Sequence, residues 1–289
     1  MDYKETLKNS INRVDKLVNE SITIDSSGIP LPSWIELSPI DICNRACSFC
    51  PKSDDSVAPN QNQRMPVVLY NKIAQELQEL AFKGTIMIAG YGEPLLNKDV
   101  IEMCKIFSQF CNVEITTNGD PLDVEYIKRL YNAGTSKLII SMYDGKHQID
   151  EYNKLFKEAN IDETKYILRD RWYTEEDDYG VKLTNRAGVL NSSKVLENHK
   201  QCFYPFYSMM VDWNGDVFLC TQDWNRRIKT GNLMLNTVYE VWTSQILKKY
   251  RTHLANCQRD LPPCNTCDAD GSLHGKEYAN IWKDYYGKN

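Results

Sequence analysis

Strand-like and helix-like segments alternate between residues 34 and 170, and this alternation most constrains the fold of the 289-residue chain. Strands are predicted for five runs rich in apolar residues, at 34–40, 85–92, 113–118, 136–144 and 164–170. Helical periodicity predicts four helices between them, at 67–82, 98–111, 123–134 and 148–159. The pattern favours an α/β fold, a parallel sheet with outer helices that forms a partial or complete barrel. In such barrels the chemistry lies at the carboxyl ends of the strands.

The N-terminal segment predicts an amphipathic helix followed by a linker rich in proline and glycine. Its apolar face is formed by Leu7, Ile11, Val14 and Leu17. We expect this helix to pack across the outside of the main domain.

From about residue 200 the pattern changes to β structure. Asn214-Gly215 predicts a hairpin with a two-residue type I′ turn, and a helix and a small cysteine knuckle follow. We therefore predict a helix and linker over 1–33, a barrel over 34–199 and a small module over 200–289. The charged run at 169–181 breaks the alternation, and it is either a lid or a solvated loop.

Composition limits the classes of function. Charges of both signs are interspersed and the net charge is −5, so nothing indicates nucleic acid or an anionic membrane as a partner. No apolar run reaches the roughly 18 residues of a membrane span, and the first residues are too polar for a signal peptide. The ten cysteines are too sparse for a secreted disulfide scaffold. Their clustering indicates reduced, metal-binding thiolates in the cytoplasm.

The first cysteine cluster is Cys43, Cys47 and Cys50, in the run CNRACSFC with C-x3-C-x2-C spacing. Three thiolates on one short loop can hold three corners of a cubic iron-sulfur cluster, whereas a closed cluster needs four. One iron is then left open for a ligand that is not protein. Zinc is the alternative, but it takes four ligands, and no histidine lies near this loop in the sequence.

With Phe49 before its last cysteine, this run resembles the cluster motif of the radical S-adenosylmethionine (radical SAM) superfamily. The resemblance implies a partial (β/α)6 TIM-type barrel and a 4Fe-4S cluster whose open iron binds the methionine moiety of SAM. It implies cleavage of SAM to a 5′-deoxyadenosyl radical, a flavodoxin or ferredoxin-type reductant, and cofactor contact by Phe49.

Three further strand ends resemble the SAM-binding segments of this superfamily. In AGYGEPLLN, Gly92 would let the backbone approach the ligand, and Glu93 would accept a hydrogen bond from the methionine ammonium. Tyr91 replaces a family glycine, so we expect its side chain to face the substrate. Asn118 in TTNGD is a candidate for the ribose hydroxyls, with a simple turn as the alternative, and Ser141 is a candidate of the same kind.

A second cysteine set lies in the C-terminal module, with C-x17-C-x43-C-x2-C spacing, at Cys202, Cys220, Cys264 and Cys267. Four thiolates close a 4Fe-4S cluster completely, but a zinc ribbon uses the same ligands. The run GDVFLC resembles the abbreviated SPASM module called twitch, which carries one auxiliary 4Fe-4S cluster. The resemblance therefore favours the cluster over zinc.

The substrate residues are predicted from resemblance to radical SAM/twitch enzymes that oxidise a secondary alcohol of an aminocyclitol. The resemblance puts Arg186 of LTNRAGVL beside the substrate alcohol. Arginine is a poor base, so we expect it to position the substrate and stabilise a developing alkoxide, with a surface salt bridge as the alternative. Glu36 and Tyr91 match substrate-facing positions, and Gln222 completes the predicted cavity. Gln222 stands where those enzymes have an acid, which leaves a neutral sugar open.

Three cysteines lie outside both sets. Cys104 and Cys111 are one heptad apart on a predicted helix, and we expect them to be core thiols. Cys257 is a core thiol by default, but it could also be a cluster neighbour or a hydrogen-atom donor.

We therefore predict an oxidoreductase that abstracts hydrogen from a secondary alcohol of a sugar or cyclitol and oxidises it to a ketone, with the auxiliary cluster accepting an electron. The alternatives are a sugar epimerase that uses Cys257 as hydrogen donor, a peptide-modifying enzyme, and a non-catalytic electron-transfer or zinc protein.

Overall fold

The computed structural model describes residues 3–171, 184–190 and 200–288. The predicted alternation is confirmed. Its strands are β1 (Trp34–Leu37), β2 (Thr85–Ile88), β3 (Asn112–Thr117), β4 (Lys137–Met142) and β5 (Tyr166–Asp170). The helices between them are α2 (Val67–Glu79), α3 (Val100–Phe107), α4 (Val124–Asn132) and α5 (His147–Glu158), and they follow α1 (Tyr3–Glu20). Most of the predicted charged loop, residues 172–181, lies outside the described residues.

The C-terminal part adds three strands and four helices. The strands are β6 (Ser208–Val211), β7 (Asp216–Phe218) and β8 (Lys229–Asn232). The helices are α6 (Tyr204–Tyr207), α7 (Val238–Trp242), α8 (Gln245–Ala255) and α9 (Lys276–Lys288).

One eight-stranded sheet joins both parts, in the order β5-β4-β3-β2-β1-β6-β7-β8. The first six strands in that order are parallel, and β7 and β8 are antiparallel. Among the described strands the sheet has open edges at β5 and β8, so the predicted partial barrel is confirmed. Since β6 pairs with β1, the hairpin at the predicted start of the second module belongs to the main sheet.

The hairpin turn differs from the predicted type I′ turn. Gly215 has a φ of 85°, but Asn214 does not have the positive φ that a type I′ turn requires. The amide of Gly215 donates to the carbonyl of Asp212 at 2.9 Å, which gives a three-residue loop ending in a left-handed glycine. Asn214 favours this loop because its side-chain oxygen accepts from the amide of Asp216 at 3.0 Å.

The predicted position of α1 on the outside is wrong. Val18 is fully buried in the main hydrophobic core, and Val14 packs against that core. Arg13 forms an ion pair with Glu114 of β3, a buried carboxylate that needs a cation partner. The helix therefore closes one side of the sheet's interior. The side chain of Leu7 lies outside the described part.

The C-terminal helices are packed around the buried guanidinium of Arg251. It lies 4.1 Å from the ring centroid of Trp242 and 3.8 Å from that of Trp282. Its Nε donates to the carbonyl of Pro205 and its Nη1 to that of Trp242, both at 2.8 Å. These contacts tie α6, α7, α8 and α9 into one core.

The predicted core thiols are confirmed. Cys104 is fully buried and Cys111 packs against the same core. Across the described ranges, no helix is long and apolar enough to cross a membrane.

Candidate functional site

A cavity of about 490 Å³ lies at the carboxyl ends of β1 to β4. Two of its walls come from α1, through Arg13 and Val14, and from the segment at 184–186. It contains most of the predicted site residues: Glu36, Cys43, Cys47, Phe49, Cys50, Tyr91, Gly92, Glu93, Asn118, Ser141 and Arg186. The sequence thus predicted which strand ends meet at one site.

The three cysteines of the first set face this cavity from the loop after β1. The amide of Cys50 donates to the carbonyl of Cys47 at 2.8 Å, which keeps the loop tight. Burial, together with repulsion from Cys50 and Cys43 as thiolates, raises the pKa of Cys47 to about 11. Three thiols that line one cavity match the ligand number of a cluster with one open iron.

An arginine clamp, formed by Arg45, Asp120 and Asp144, holds the cysteine loop in place. Nε and Nη2 of Arg45 each donate to Asp120 at 2.6 Å. Nη1 and Nη2 donate to Asp144 at 2.8 and 2.6 Å. The two carboxylates follow β3 and β4, so one side chain fixes the loop after β1 to two other strand ends.

An aromatic contact forms the wall beside this clamp. The ring of Phe49 stacks on that of Tyr143, with centroids 5.6 Å apart. The guanidinium of Arg45 lies 5.4 Å from the centroid of the Tyr143 ring. Sequence reasoning found Phe49 but missed Arg45 and Tyr143. The signals available were an arginine between two cluster cysteines and an aromatic residue at the end of a strand.

Residue 92 must be glycine because the backbone of residues 40–42 packs directly against it. A β-carbon there would clash with the carbonyl oxygen of Ile40 and lie 2.6 Å from that of Ile42. The amide of Glu93 donates to the same Ile42 carbonyl at 2.8 Å. Gly92 therefore lets the turn after β2 pack on the start of the cysteine loop, and it also lines the cavity.

The Glu93 carboxylate joins the turn after β2 to the end of β3. Its Oε1 accepts from the amide of Leu95 at 3.0 Å and from the hydroxyl of Thr117 at 2.6 Å. Its Oε2 accepts from the amide of Asn118 at 2.8 Å. Burial raises the pKa of Glu93 to about 7, against the lowering effect of these three bonds. Since Oε2 has a second lone pair, one position remains for an ammonium donor.

Asn118 and Ser141 both have protein partners. Nδ2 of Asn118 donates to Oδ1 of Asn44 in the cysteine loop at 2.8 Å, and its own Oδ1 accepts from the amide of Asp120 at 2.9 Å. Ser141 accepts from Nη2 of Arg169 at 3.3 Å. Both line the cavity, so their predicted contact with the cofactor stays a prediction.

Tyr91 connects the barrel to the C-terminal part. Its hydroxyl donates to the carbonyl of Asp223 at 3.2 Å, and its ring meets that of Trp224 edge to face, with centroids 4.6 Å apart. The guanidinium of Arg226 lies 4.3 Å from the centroid of the Tyr91 ring. Trp224 also lines the cavity and was missed in the sequence.

Glu36 lies in the cavity between two arginines. Burial raises the pKa of Glu36 to about 7, and the charges of Arg186 and Arg169 oppose that rise. The Nε atoms of Arg169 and Arg186 are buried and have no hydrogen-bond partner. Such donors lie ready for a polar group that enters the cavity.

A second, smaller cavity is lined by all four cysteines of the second set. Burial raises the pKa of Cys202 to about 11, and Arg259 opposes that rise. Among the described His, Cys, Asp and Glu side chains, no three converge to hold a single metal ion. Four cysteines around one cavity match the number of thiolates that closes a 4Fe-4S cluster. Gly271 leaves room for the Cys202 sulfur, since a β-carbon there would clash with it.

The predicted place of Gln222 in the substrate cavity is wrong. Gln222 lines the second cavity, while its neighbours Thr221 and Trp224 line the first. The turn is set by buried Asp223, whose carboxylate accepts from the amides of Arg227 at 3.1 Å and of residue 228 at 2.8 Å. Because this segment turns sharply, alternation along a strand does not predict which way its side chains point.

A left-handed turn at 185–188 joins the two cavities. Arg186, Ala187 and Gly188 have φ values of 50°, 55° and 86°. Nδ2 of Asn185 donates to the carbonyl of Thr266 at 2.8 Å, which fixes the turn to the cysteine knuckle. Arg186 lines the first cavity and Ala187 the second.

Cys257 ends a helix. It has a φ of 58°, its amide donates to the carbonyl of Leu254 at 3.1 Å, and that of Gln258 donates to the carbonyl of His253 at 3.0 Å. This is the Schellman pattern at the end of α8. Cys257 is not among the described residues that line either cavity.

Two family models match the chain. The radical SAM superfamily model matches residues 37–170, and a model for the SPASM iron-sulfur cluster-binding domain matches residues 202–268. These matches confirm the resemblance predicted from the cysteine spacings. They also confirm the predicted cofactors, SAM and two 4Fe-4S clusters.

Individual relatives agree with these models. The S-adenosyl-L-methionine-dependent 2-deoxy-scyllo-inosamine dehydrogenase of Niallia circulans is 29% identical over 245 residues, which cover 82% of this chain and 92% of that protein. A probable GTP 3′,8-cyclase of Archaeoglobus fulgidus is 31% identical over 100 residues, which cover 35% of this chain and 32% of that protein. The crystal structure of BtrN in complex with AdoMet and 2-DOIA matches with a TM-score of 0.73 and 25% identity, over 87% of this chain and 98% of that one.

Proposed function

Because the chain belongs to the radical SAM superfamily and carries a C-terminal SPASM-type (twitch) module, we propose that it oxidises a secondary alcohol of a cyclitol or sugar to a ketone. The observation that carries this proposal is the turn at 185–188. It presents Arg186 to the first cavity and Ala187 to the cavity of the four auxiliary cysteines. A donor to the substrate oxygen would thus lie between the two cluster sites.

The described residues fit the two clusters and SAM. Cys43, Cys47 and Cys50 would hold the SAM-binding cluster, and the four cysteines of the second cavity would hold the auxiliary one. When bound, these groups supply the radical that removes the hydrogen atom and the acceptor that takes the remaining electron. Glu93 has a free acceptor position for the methionine ammonium, and Phe49 and Tyr143 form an apolar wall beside it.

Arg186 would act on the hydroxyl of the substrate. Its guanidinium cannot serve as a base, but its buried Nε has no hydrogen-bond partner and can donate to an oxygen on which negative charge develops. Glu36 faces the same space, and its pKa of about 7 makes it a candidate to take the proton. Loss of the carbon-bound hydrogen, the hydroxyl proton and one further electron converts the alcohol to the ketone.

The cyclitol class is supported by the relative of Niallia circulans, whose name states 2-deoxy-scyllo-inosamine as its substrate. Two features bear on the charge of the substrate: Gln222 lies outside the first cavity, and Arg169, Arg171 and Arg186 are among the arginines that line it. We therefore propose a neutral or acidic cyclitol or sugar as a candidate substrate in addition to an aminocyclitol. We also propose that the protein works in the cytoplasm and receives electrons from a flavodoxin or ferredoxin-type reductant.

The experiment uses anaerobically reconstituted protein with SAM, reductant and a panel of cyclitols and sugars. Each is deuterated at one carbinol carbon. We expect 5′-deoxyadenosine that carries deuterium, in a one-to-one ratio with a keto product. Arg186→Met should lower ketone formation by about 100- to 1,000-fold, the usual loss for a donor to a developing oxyanion. Substrate-free SAM cleavage should change little, and exposed Arg64→Met serves as the control.

The epimerase alternative has a separate outcome. An inverted alcohol without ketone, formed with solvent hydrogen at the reacting carbon, would contradict dehydrogenation. Cys257 receives no support as a hydrogen donor, because it ends α8 and is not among the described residues of either cavity. Cys257→Ala should therefore leave ketone formation unchanged.

A further inference from the structure

A buried arginine, Arg259, lies against the auxiliary cysteines. Its side chain lines the second cavity, and the residue is only 3% exposed. Nε donates to the carbonyl of Lys200 at 3.1 Å, Nη2 to that of Gln201 at 2.8 Å and Nη1 to that of Ala269 at 2.9 Å. These carbonyls come just before Cys202 and just after Cys267. The guanidinium thus joins the two chain segments that carry these ligands.

The positive charge of Arg259 is not cancelled by these bonds. All three acceptors are neutral main-chain carbonyls, whereas a buried charge usually has a charged partner. Besides the four cysteines that share its cavity, the group near Arg259 that would carry negative charge is the carboxylate of Asp270, which is exposed to solvent. Solvent screens the exposed carboxylate more than it screens the cavity, so Arg259 acts mainly on the ligand set of the auxiliary cluster.

The cations around the first cysteine set are arranged differently. Arg45 is paired with two carboxylates, Asp120 and Asp144. Lys52 also lines that cavity, and the negative charge of buried Asp41 stabilises its ammonium. A cation whose charge is already offset by carboxylates does less to stabilise an added electron. Arg45 and Lys52 therefore stabilise an added electron less than a cation without a carboxylate partner would, while Arg186 also acts on Cys50 at this site.

We propose that Arg259 raises the reduction potential of the auxiliary cluster and so favours its reduction. Net charge and hydrogen bonding are the means by which a protein sets the potential of a 4Fe-4S cluster. A buried cation beside the cysteine ligands stabilises the reduced state, which carries one more negative charge. Arg259 is a positioning residue, because it acts through the ligands and their loops. The proposal depends on the cluster but not on the identity of the substrate.

The test compares three variants of the reconstituted full-length chain. Arg259→Gln keeps donors for the carbonyls and removes the charge. Arg259→Lys keeps the charge and loses the planar fork. Arg227→Gln removes an equal charge from an exposed position of the same region, where Nη1 lies 3.4 Å from the hydroxyl of Thr266, and serves as the control. Iron content and EPR-monitored redox titration of both clusters are measured without substrate.

We expect Arg259→Gln to disfavour reduction of the auxiliary cluster by at least about tenfold, a shift of about 59 mV to lower potential for one electron. The SAM-binding cluster should not shift, and Arg259→Lys should shift less than Arg259→Gln. Loss of the auxiliary cluster in Arg259→Gln but not in Arg259→Lys would also support a role of the charge. An unshifted potential in Arg259→Gln would overturn the proposal. Loss of the cluster in both variants would overturn it too, because a retained charge would then not suffice.

Discussion

Replacing Arg45 with methionine tests whether the arginine clamp keeps the loop of Cys43, Cys47 and Cys50 ordered, the proposed ligands of the SAM-binding cluster. The pair with Asp120 is bidentate, with side chains 20% and 27% exposed. Charge-assisted bonds of this kind contribute about 1.5 to 2 kcal/mol. The side chain of Asp144 is 49% exposed, so its pair adds only about 0.5 to 1 kcal/mol. The ordered loop should lose about 2 to 3 kcal/mol in total, or roughly 30- to 150-fold in population.

The assay follows iron release from the anaerobically reconstituted protein to an excess of chelator. Each cluster gives its own kinetic phase, and cysteine-to-alanine variants of either set assign the phases. We expect Arg45→Met to accelerate only the phase of the SAM-binding cluster, by roughly 30- to 150-fold. SAM cleavage should fall in parallel. Asp144→Asn should have a smaller effect than Asp120→Asn, because its pair is more exposed.

Exposed Arg64→Met is the matched control for loss of a cation near the same loop. If Arg45→Met released iron at the wild-type rate, the clamp would be a surface contact without effect on the loop. Equal acceleration of both phases would also contradict the reasoning, because the clamp contacts only the first site.

Three further changes test the packing and the thiols. Arg251→Met leaves two buried carbonyls without a donor and should lower the melting temperature by about 6 to 12 °C, measured by calorimetry against exposed Lys249→Met. Gly92→Ala brings a β-carbon against two carbonyl oxygens and should prevent stable loading of the SAM-binding cluster, while Gly287→Ala, which meets nothing within 4 Å, should load all eight irons. Burial raises the pKa of Cys47 and Cys202 to about 11, so both thiols hold a proton that metal binding must release. Iron uptake should therefore increase as the pH rises from about 6.5 to about 8.5, and uptake independent of pH would contradict this.

The fold and the residues that meet at the first cavity could be predicted from sequence because both depend on short-range patterns. Strand and helix periods are local, and each cluster motif or glycine-rich turn follows directly on a strand. Once a parallel sheet is predicted, its carboxyl ends must meet. This places Cys43, Glu93 and Asn118 around one cavity without any knowledge of long-range contacts.

Long-range contacts explain the predictions that were wrong. The position of α1 depends on the ion pair of Arg13 with Glu114, residues far apart in sequence that share no local pattern. The direction of Gln222 depends on the Asp223 carboxylate, which turns the chain after Cys220. Arg259 carried no signal at all, because its significance comes from the burial of a guanidinium beside cysteines contributed by other segments.

The residues that line the cavity fall into two groups, those inside and those outside the ranges that the family models match. The family models begin at residue 37 and leave out residues 171–201. The cluster loop and the turn with Glu93 fall inside the matched ranges. Arg13 of α1 and Arg186 fall outside them, yet both line the cavity. We therefore expect the shared part of the site to serve radical generation, and Arg13 and Arg186, outside the models, to contact the substrate. This is why the cysteine motifs specify the radical chemistry and leave the substrate open, and why variants of Arg13 and Arg186 should alter substrate preference before they alter SAM cleavage.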